Sequence, residues 1–169
     1  MIMNKILLAS LMMLLMFNGF SQDKTNSLKT SFLNRTPGYS KSVKITANGI
    51  TTIYISGLTG DGKTFAEQTL NAFKNINAEL MANNASVKHI VKMNTYIVNL
   101  NQQYVDTFRS VRKEFFGIKD LSKDNDGMPA STIVGISALA EKGKMIEIEA
   151  IVVMEEVKML NPNIAPEPK

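Results

Sequence analysis

The spacing of apolar residues switches between a period of two and a period of three to four along this chain, and the switches mark its elements. Ser40–Ala47 alternates polar and apolar residues, with Val43, Ile45 and Ala47 on one side, which predicts a half-buried strand. Asn48-Gly49 is a hairpin turn, since both residues tolerate positive φ. Ile53–Ser56 is the returning strand, stopped by Gly57, and Gly60-Asp61-Gly62 is a further turn. From Thr64 the period lengthens. Ala66, Leu70, Phe73, Ile76 and Leu80 recur at three or four, as on one face of an amphipathic helix. Thr64 with Glu67 three residues later fits a capping box, and Asn83-Asn84 ends the helix. A strand follows within Val87–Leu100, most clearly Val91–Val98. Tyr104, Phe108, Val111 and Phe115 predict a second amphipathic helix, with Gly117 placed to stop it. Lys119–Gly127 reads as a charged loop, and Ser131–Ile136 and Met145–Met154 as the last strands.

The predicted order ββαβαββ implies two helices on one mixed sheet, an α+β two-layer sandwich. One face of such a sheet is left without helices. On the last strand that face shows either Ile146, Ile148, Ala150 and Val152, or Met145, Glu147, Glu149, Ile151 and Val153. The second set mixes acids with apolar residues, which suggests a partner subunit and a cleft. Residues 22–37 are polar and aperiodic and read as an N-terminal arm ending at Pro37-Gly38. Residues 38–156 form the folded domain. Residues 157–169 hold three of the five prolines and read as a flexible tail.

The first 21 residues have the layout of a cleaved secretory signal. Lys5 supplies the positive region, Ile6–Phe17 the apolar core, and Gly19 and Ser21 the small residues before a cut at Gln22. The apolar run of roughly 12 residues is short of the ~20 that span a bilayer. The protein is therefore expected to be periplasmic or secreted, with no membrane contact after cleavage. The chain has no cysteine, hence no disulfide, no thiol chemistry and no lipid attachment after the apolar run. The formal net charge of +4 is spread among acids rather than gathered in a stripe, which argues against a nucleic-acid partner. With a single histidine, His89, neither a metal site nor a histidine triad is expected. No cofactor motif is present: Gly60-Asp61-Gly62 is too short for a phosphate loop.

Gly38-Tyr39-Ser40, Ile55-Ser56-Gly57, Gln68–Ile76, Val91–Tyr96, Glu114-Phe115-Phe116, and Pro129-Ala130 with Leu139 and Ile146-Glu147-Ile148 occur in that order along the chain. Each looks like a segment of one family, and together they resemble the RidA (YjgF) family of small trimeric enamine/imine deaminases. The resemblance covers roughly Gly38–Met154. It implies a fold similar to chorismate mutase and a homotrimer whose sheets form a barrel, with small-molecule clefts between subunits. It also implies that Tyr39 and Ser56 line the cleft and that Glu147 positions or activates water. At the position of the family's arginine, which pairs with the substrate carboxylate, this chain has Ser131, followed by Thr132.

That substitution bears on function. A guanidinium holds a carboxylate bidentately, fixing charge and orientation together. Losing such a contact in a buried site costs on the order of 2–5 kcal/mol, a factor of tens to thousands in turnover. Two readings follow. One is a small-molecule-binding member of the family that works without the arginine. The other is a deaminase of 2-enamino or 2-imino acids whose carboxylate anchor has moved to Arg109 on the second helix. Arg109 is otherwise an exposed helix cation beside Arg112 and Lys113. Glu147 with Glu149, two apart on one face, is equally a solvated strand face. Tyr39 has a second reading as an aromatic anchor, and Ser56 as a turn residue. A protein-interaction role for the trimer is a third reading, one that needs no pocket. Export weakens the deaminase reading, because reactive imino acids arise chiefly in the cytoplasm.

Overall fold

A computed structural model describes residues 27–119 and 127–156. The expected signal segment, most of the charged loop and the tail lie outside the described residues. The elements are β1 (Lys29–Thr36), β2 (Tyr39–Ala47), β3 (Ile50–Thr59), α1 (Phe65–Ala82), a 3₁₀ turn (Val87–His89), β4 (Ile90–Val98), α2 (Gln102–Phe115), β5 (Ala130–Ile136) and β6 (Ile146–Glu155). They form one six-stranded sheet in the order β1-β2-β3-β6-β4-β5. Only the β4–β5 pair is parallel.

Topology puts both helices on the same face. The β3–α1–β4 and β4–α2–β5 connections advance in one direction across the sheet, and right-handed crossovers then stack their helices side by side. Beneath them lie Ile53, Ile55, Met93, Ile97, Ile146, Ile148 and Val152, closed from above by Phe73, Ile76, Leu80 and Phe108. Phe73 stacks on Phe108 across the two helices with ring centroids 5.8 Å apart. The alternation of β6 is thereby resolved. Ile146, Ile148, Ala150 and Val152 are buried under the helices, while Glu147, Glu149, Ile151 and Val153 face the open side.

Both hairpin turns follow from residue chemistry. Asn48 and Gly49 both adopt positive φ, 53° and 77°. Pro37-Gly38, with Gly38 at φ 94°, joins β1 to β2. The arm expected over 22–37 is thus corrected: from Lys29 it is an ordered edge strand. Its polar sequence hides it, because an edge strand held by backbone pairing to β2 does not need a buried side-chain row. β3 also runs further than expected. It continues through Gly57 to Thr59, with a bulge in which Ser56 and Gly57 together oppose the stretch of β6 between Ile148 and Ala150.

The capping box of α1 is present in both directions between Thr64 and Glu67. Its buried stripe differs from expectation at the first turns. Leu70 is exposed, and Phe65, Gln68, Thr69 and Ala72 point inward. Gln68 explains the rotation. Its amide nitrogen donates to the carbonyls of Gly62 and Gly143, both at 3.1 Å, and its oxygen accepts from the Met145 amide at 2.8 Å. A buried glutamine therefore ties the start of α1 to the loop that leads into β6.

At the other end of α1, Glu79 is buried and holds β1 in place. Its carboxylate accepts from Asn34 Nδ2 at 2.9 and 3.0 Å and from Ser42 Oγ at 3.1 Å. Asn83 Nδ2 donates to the same serine oxygen. Removing the acceptor strands the buried Ser42 hydroxyl, at about 1–3 kcal/mol, and releases exposed Asn34. Glu79→Ala is therefore expected to lower the urea-unfolding free energy by about that amount. It is also expected to speed amide exchange in Lys29–Thr36 before the rest of the sheet. Uniform exchange across all strands would contradict this role for Glu79.

Candidate functional site

Strand alternation and register sort the candidate residues onto two faces. On the open face, cross-strand neighbours form rows. One row is Phe32, Val43, Tyr54, Ile151 and Lys92. The next contains Glu149, Asn94 and Thr132, and beyond it lie Thr59, Glu147, Tyr96 and Val134. Ser56 belongs to the bulge opposite Glu149, and Tyr39, 55% exposed, follows the parity of Val43 at the start of β2. The structure therefore brings Ser56, Thr132 and Glu147 to one face, with Tyr39 toward its rim. A concavity of about 250 Å³ opens there, lined by Val43, Tyr54, Ser56, Lys92, Asn94 and Glu149.

The two glutamates of this face differ in surroundings. Glu149 accepts from Asn94 Nδ2 at 2.6 Å and from the Tyr96 hydroxyl at 3.3 Å. Its charge, with burial, raises the Tyr96 phenol above its ordinary value. Glu147 sits over the bulge. Gly57 leaves the space for it, since a Cβ at Gly57 would overlap the Glu147 carboxylate. Burial first, and the neighbouring Glu149 second, push Glu147 above the usual carboxylate range. Ser56 donates to the Ser40 carbonyl at 2.8 Å, which fixes the bulge rather than leaving the hydroxyl free.

Ser131 lies on the opposite face. It pairs with buried Met93, so its side chain turns toward α2 at the sheet edge. A guanidinium meets it there, that of Arg112: Nη1 donates to Ser131 Oγ at 3.0 Å. Arg109, the sequence candidate, is 56% exposed and lies 3.9 Å from Asp106 on its own helix. The difference is one of helical phase. Arg112 follows Phe108 by four residues and lays its guanidinium over that ring, 5.4 Å from the centroid, whereas Arg109 points outward. On the far side of β5, Lys92 Nζ donates to Thr132 Oγ1 at 2.7 Å. Two adjacent hydroxyls of one edge strand thus each hold a cation, one on either face.

Sequence reasoning missed Arg112 and Lys92. Arg112 was legible as a cation beside the Phe108 stripe, but the helical phase that turns it to Ser131 was not. Glu149, for which the sequence offered only a solvated strand face, lines the concavity. Among the described residues no group of three or more metal-ligating side chains is assembled.

Residues 31–154 match the family described as Endoribonuclease L-PSP. A relative from Dermatophagoides farinae, named 2-iminobutanoate/2-iminopropanoate deaminase, is 32% identical over 115 residues, spanning 62% of this chain and 79% of the relative. A YjgF-family structure from Neisseria meningitidis superposes with a TM-score of 0.60 at 22% identity, over 76% of this chain and 97% of that one. One from Mycobacterium tuberculosis gives 0.58 at 22% identity, over 76% and 100%. Escherichia coli TdcF with bound serine gives 0.56 at 21% identity, over 72% and 91%. The chain belongs to the RidA (YjgF) family and is a distant homologue of a deaminase.

The elevated Glu147 makes a prediction with a definite sign. A carboxyl whose pKa is higher folded than unfolded takes up protons on folding. Stability is then greatest below the ordinary carboxylate value and falls as pH rises through the window up to the raised value. Glu147→Gln removes that loss. The variant is expected to melt above the wild type at pH 7, with the gap closing by pH 4. An equal gap at both pH values would contradict the elevation.

Proposed function

We propose that this protein binds a small carboxylate-bearing molecule in a cleft completed by a second copy of the chain. The reaction for which the cleft is best equipped is hydrolysis of a 2-imino acid. The observation that carries the reading is the half-buried Glu147, its carboxyl raised above the usual range by burial and seated over Gly57 on the open face. A carboxyl of this kind is suited to accept a proton from water and return it. Water adds to the imine carbon, forming a C–O bond as Glu147 takes a proton. That proton goes to nitrogen; the new hydroxyl then gives up its own proton, relayed by Glu147 to the same nitrogen, as the C=O forms and the C–N bond breaks, so that ammonia leaves and a 2-oxo acid remains. The relative named as a deaminase supports this reaction class.

Two features support assembly. The open face presents Phe32, Tyr54, Val134 and Val153, each more than one-third exposed, as an apolar surface beside the concavity. Within one chain, Glu147 and Ser131 stand on opposite faces, so a site using both needs a second copy. A homotrimer is the arrangement we propose. The signal-like layout of the N-terminal segment supports export to the periplasm or beyond, after cleavage before Gln22. The family's endoribonuclease description has less support here, since the positive charge forms no stripe.

Freshly generated 2-iminobutanoate should release ammonia faster with protein than in buffer. Glu147→Gln should slow this by roughly 10²–10⁴, the usual worth of a positioned acid–base group. No release above buffer would sink the hydrolytic reading. Light scattering should show a multiple of the chain mass, reduced by a Tyr54→Lys charge in the apolar row. N-terminal sequencing of the exported protein should begin at Gln22.

A further inference from the structure

We infer that Arg112, delivered from α2 rather than from the strand, is the group that binds the ligand's carboxylate in this protein. The inference rests on the carboxylate-bearing ligand proposed above and names the residue that would hold it.

Three observations on this side chain converge. First, its position is fixed. The guanidinium lies over buried Phe108 and donates to Ser131 from Nη1, so two unrelated contacts, one on each side, hold it against the edge of β5. Second, no described residue neutralises its charge. Among the described residues no carboxylate lies within ion-pair distance of Arg112, whereas Arg109 has Asp106. Third, it is partly desolvated: Nε is buried and has no hydrogen-bond partner among the described residues. Burial, with Arg109 nearby, favours its neutral form, a penalty that an incoming anion relieves. A held, half-dehydrated guanidinium whose Nη2 donates to no described residue is prepared to take a planar anion.

The small side chain at position 131 is part of the arrangement. An arginine there would occupy the space that Arg112 now reaches, with two like charges opposed across a few ångströms. Serine instead accepts one hydrogen bond from Arg112 Nη1. Among the described residues the edge of β5 away from β4 is unpaired. Lys92 of the neighbouring strand β4, which donates to Thr132 on the open face, adds a second cation near the same strand. This cationic edge is complementary in charge to the Glu147–Glu149 face, which a second copy would bring against it.

The test uses full-length mature protein and two stable probes, 2-oxobutanoate and its uncharged methyl ester. Wild-type protein is expected to prefer the acid to the ester by tens-fold or more in calorimetric titration. Arg112→Met, which keeps the packing over Phe108, should bind the acid at least tens-fold more weakly and bind acid and ester alike. Arg112→Lys should recover part of the preference. A purely structural role would weaken both probes together and leave their ratio unchanged, which would overturn the inference. Thermal melting of each variant separates misfolding from lost binding, and Arg112→Lys carries the test if Arg112→Met does not fold. A wild-type ratio retained in both Arg112 variants, or lost in Arg109→Met instead, defeats the anchor alone. Wild-type protein that binds neither probe and releases no ammonia from 2-iminobutanoate defeats the functional reading, and the anchor with it.

Discussion

Everything in this structure depends on the two-residue alternation of β6 at the middle of the sheet. Ile146, Ile148, Ala150 and Val152 must lie under the helices, and burying each large aliphatic side chain contributes about 1.5–3 kcal/mol. Glu147 and Glu149 are then forced to the other face. A slip of one residue would drive both carboxylates into the core, so the register is held from both sides. The electrostatic character of the open face follows from core packing. Two acids are placed side by side on a half-buried surface because their neighbours in sequence are needed elsewhere.

Around that strand, a few buried polar side chains decide where the connections go. Gln68 fastens the start of α1 to the loop before β6, and Glu79 fastens its end to the β1–β2 hairpin. These groups occupy core positions only because every strong hydrogen-bonding demand they bring is met there. The bulge at Ser56-Gly57 works with them. It lets β3 continue past the point where glycine was expected to end it, and opens a gap in which Glu147 rests.

The edge strand β5 joins the two sides of the molecule. Ser131 faces α2 and Thr132 faces the open side, so adjacent residues read different environments and each recruits a cation. On the proposed reading, loss of the strand arginine is answered by a helix arginine whose placement depends on Phe108. The chemistry remains that of a guanidinium near a carboxylate-bearing ligand, but the element that supplies it has changed.

Most elements were legible because their signals are local. The Asn48-Gly49 turn, the Thr64–Glu67 capping box, the Phe108 stripe and the β6 alternation each act over a few residues. The family itself was legible from fragments in order. What failed to show were features decided by partners distant in sequence. β1 looks like a loose arm because its stability lies in pairing with β2 and in Asn34 reaching Glu79, 45 positions away. The inward turn of Gln68 needs the Gly143 and Met145 backbone. Arg109 and Arg112 are indistinguishable in a charge count, since helical phase against a core is set only when the helix docks. The sequence by itself therefore determined the family, the sheet's two-faced pattern and the absence of an arginine at position 131. Only tertiary structure decided which arginine stands beside Ser131, because side-chain direction depends on how Phe108 enters the core.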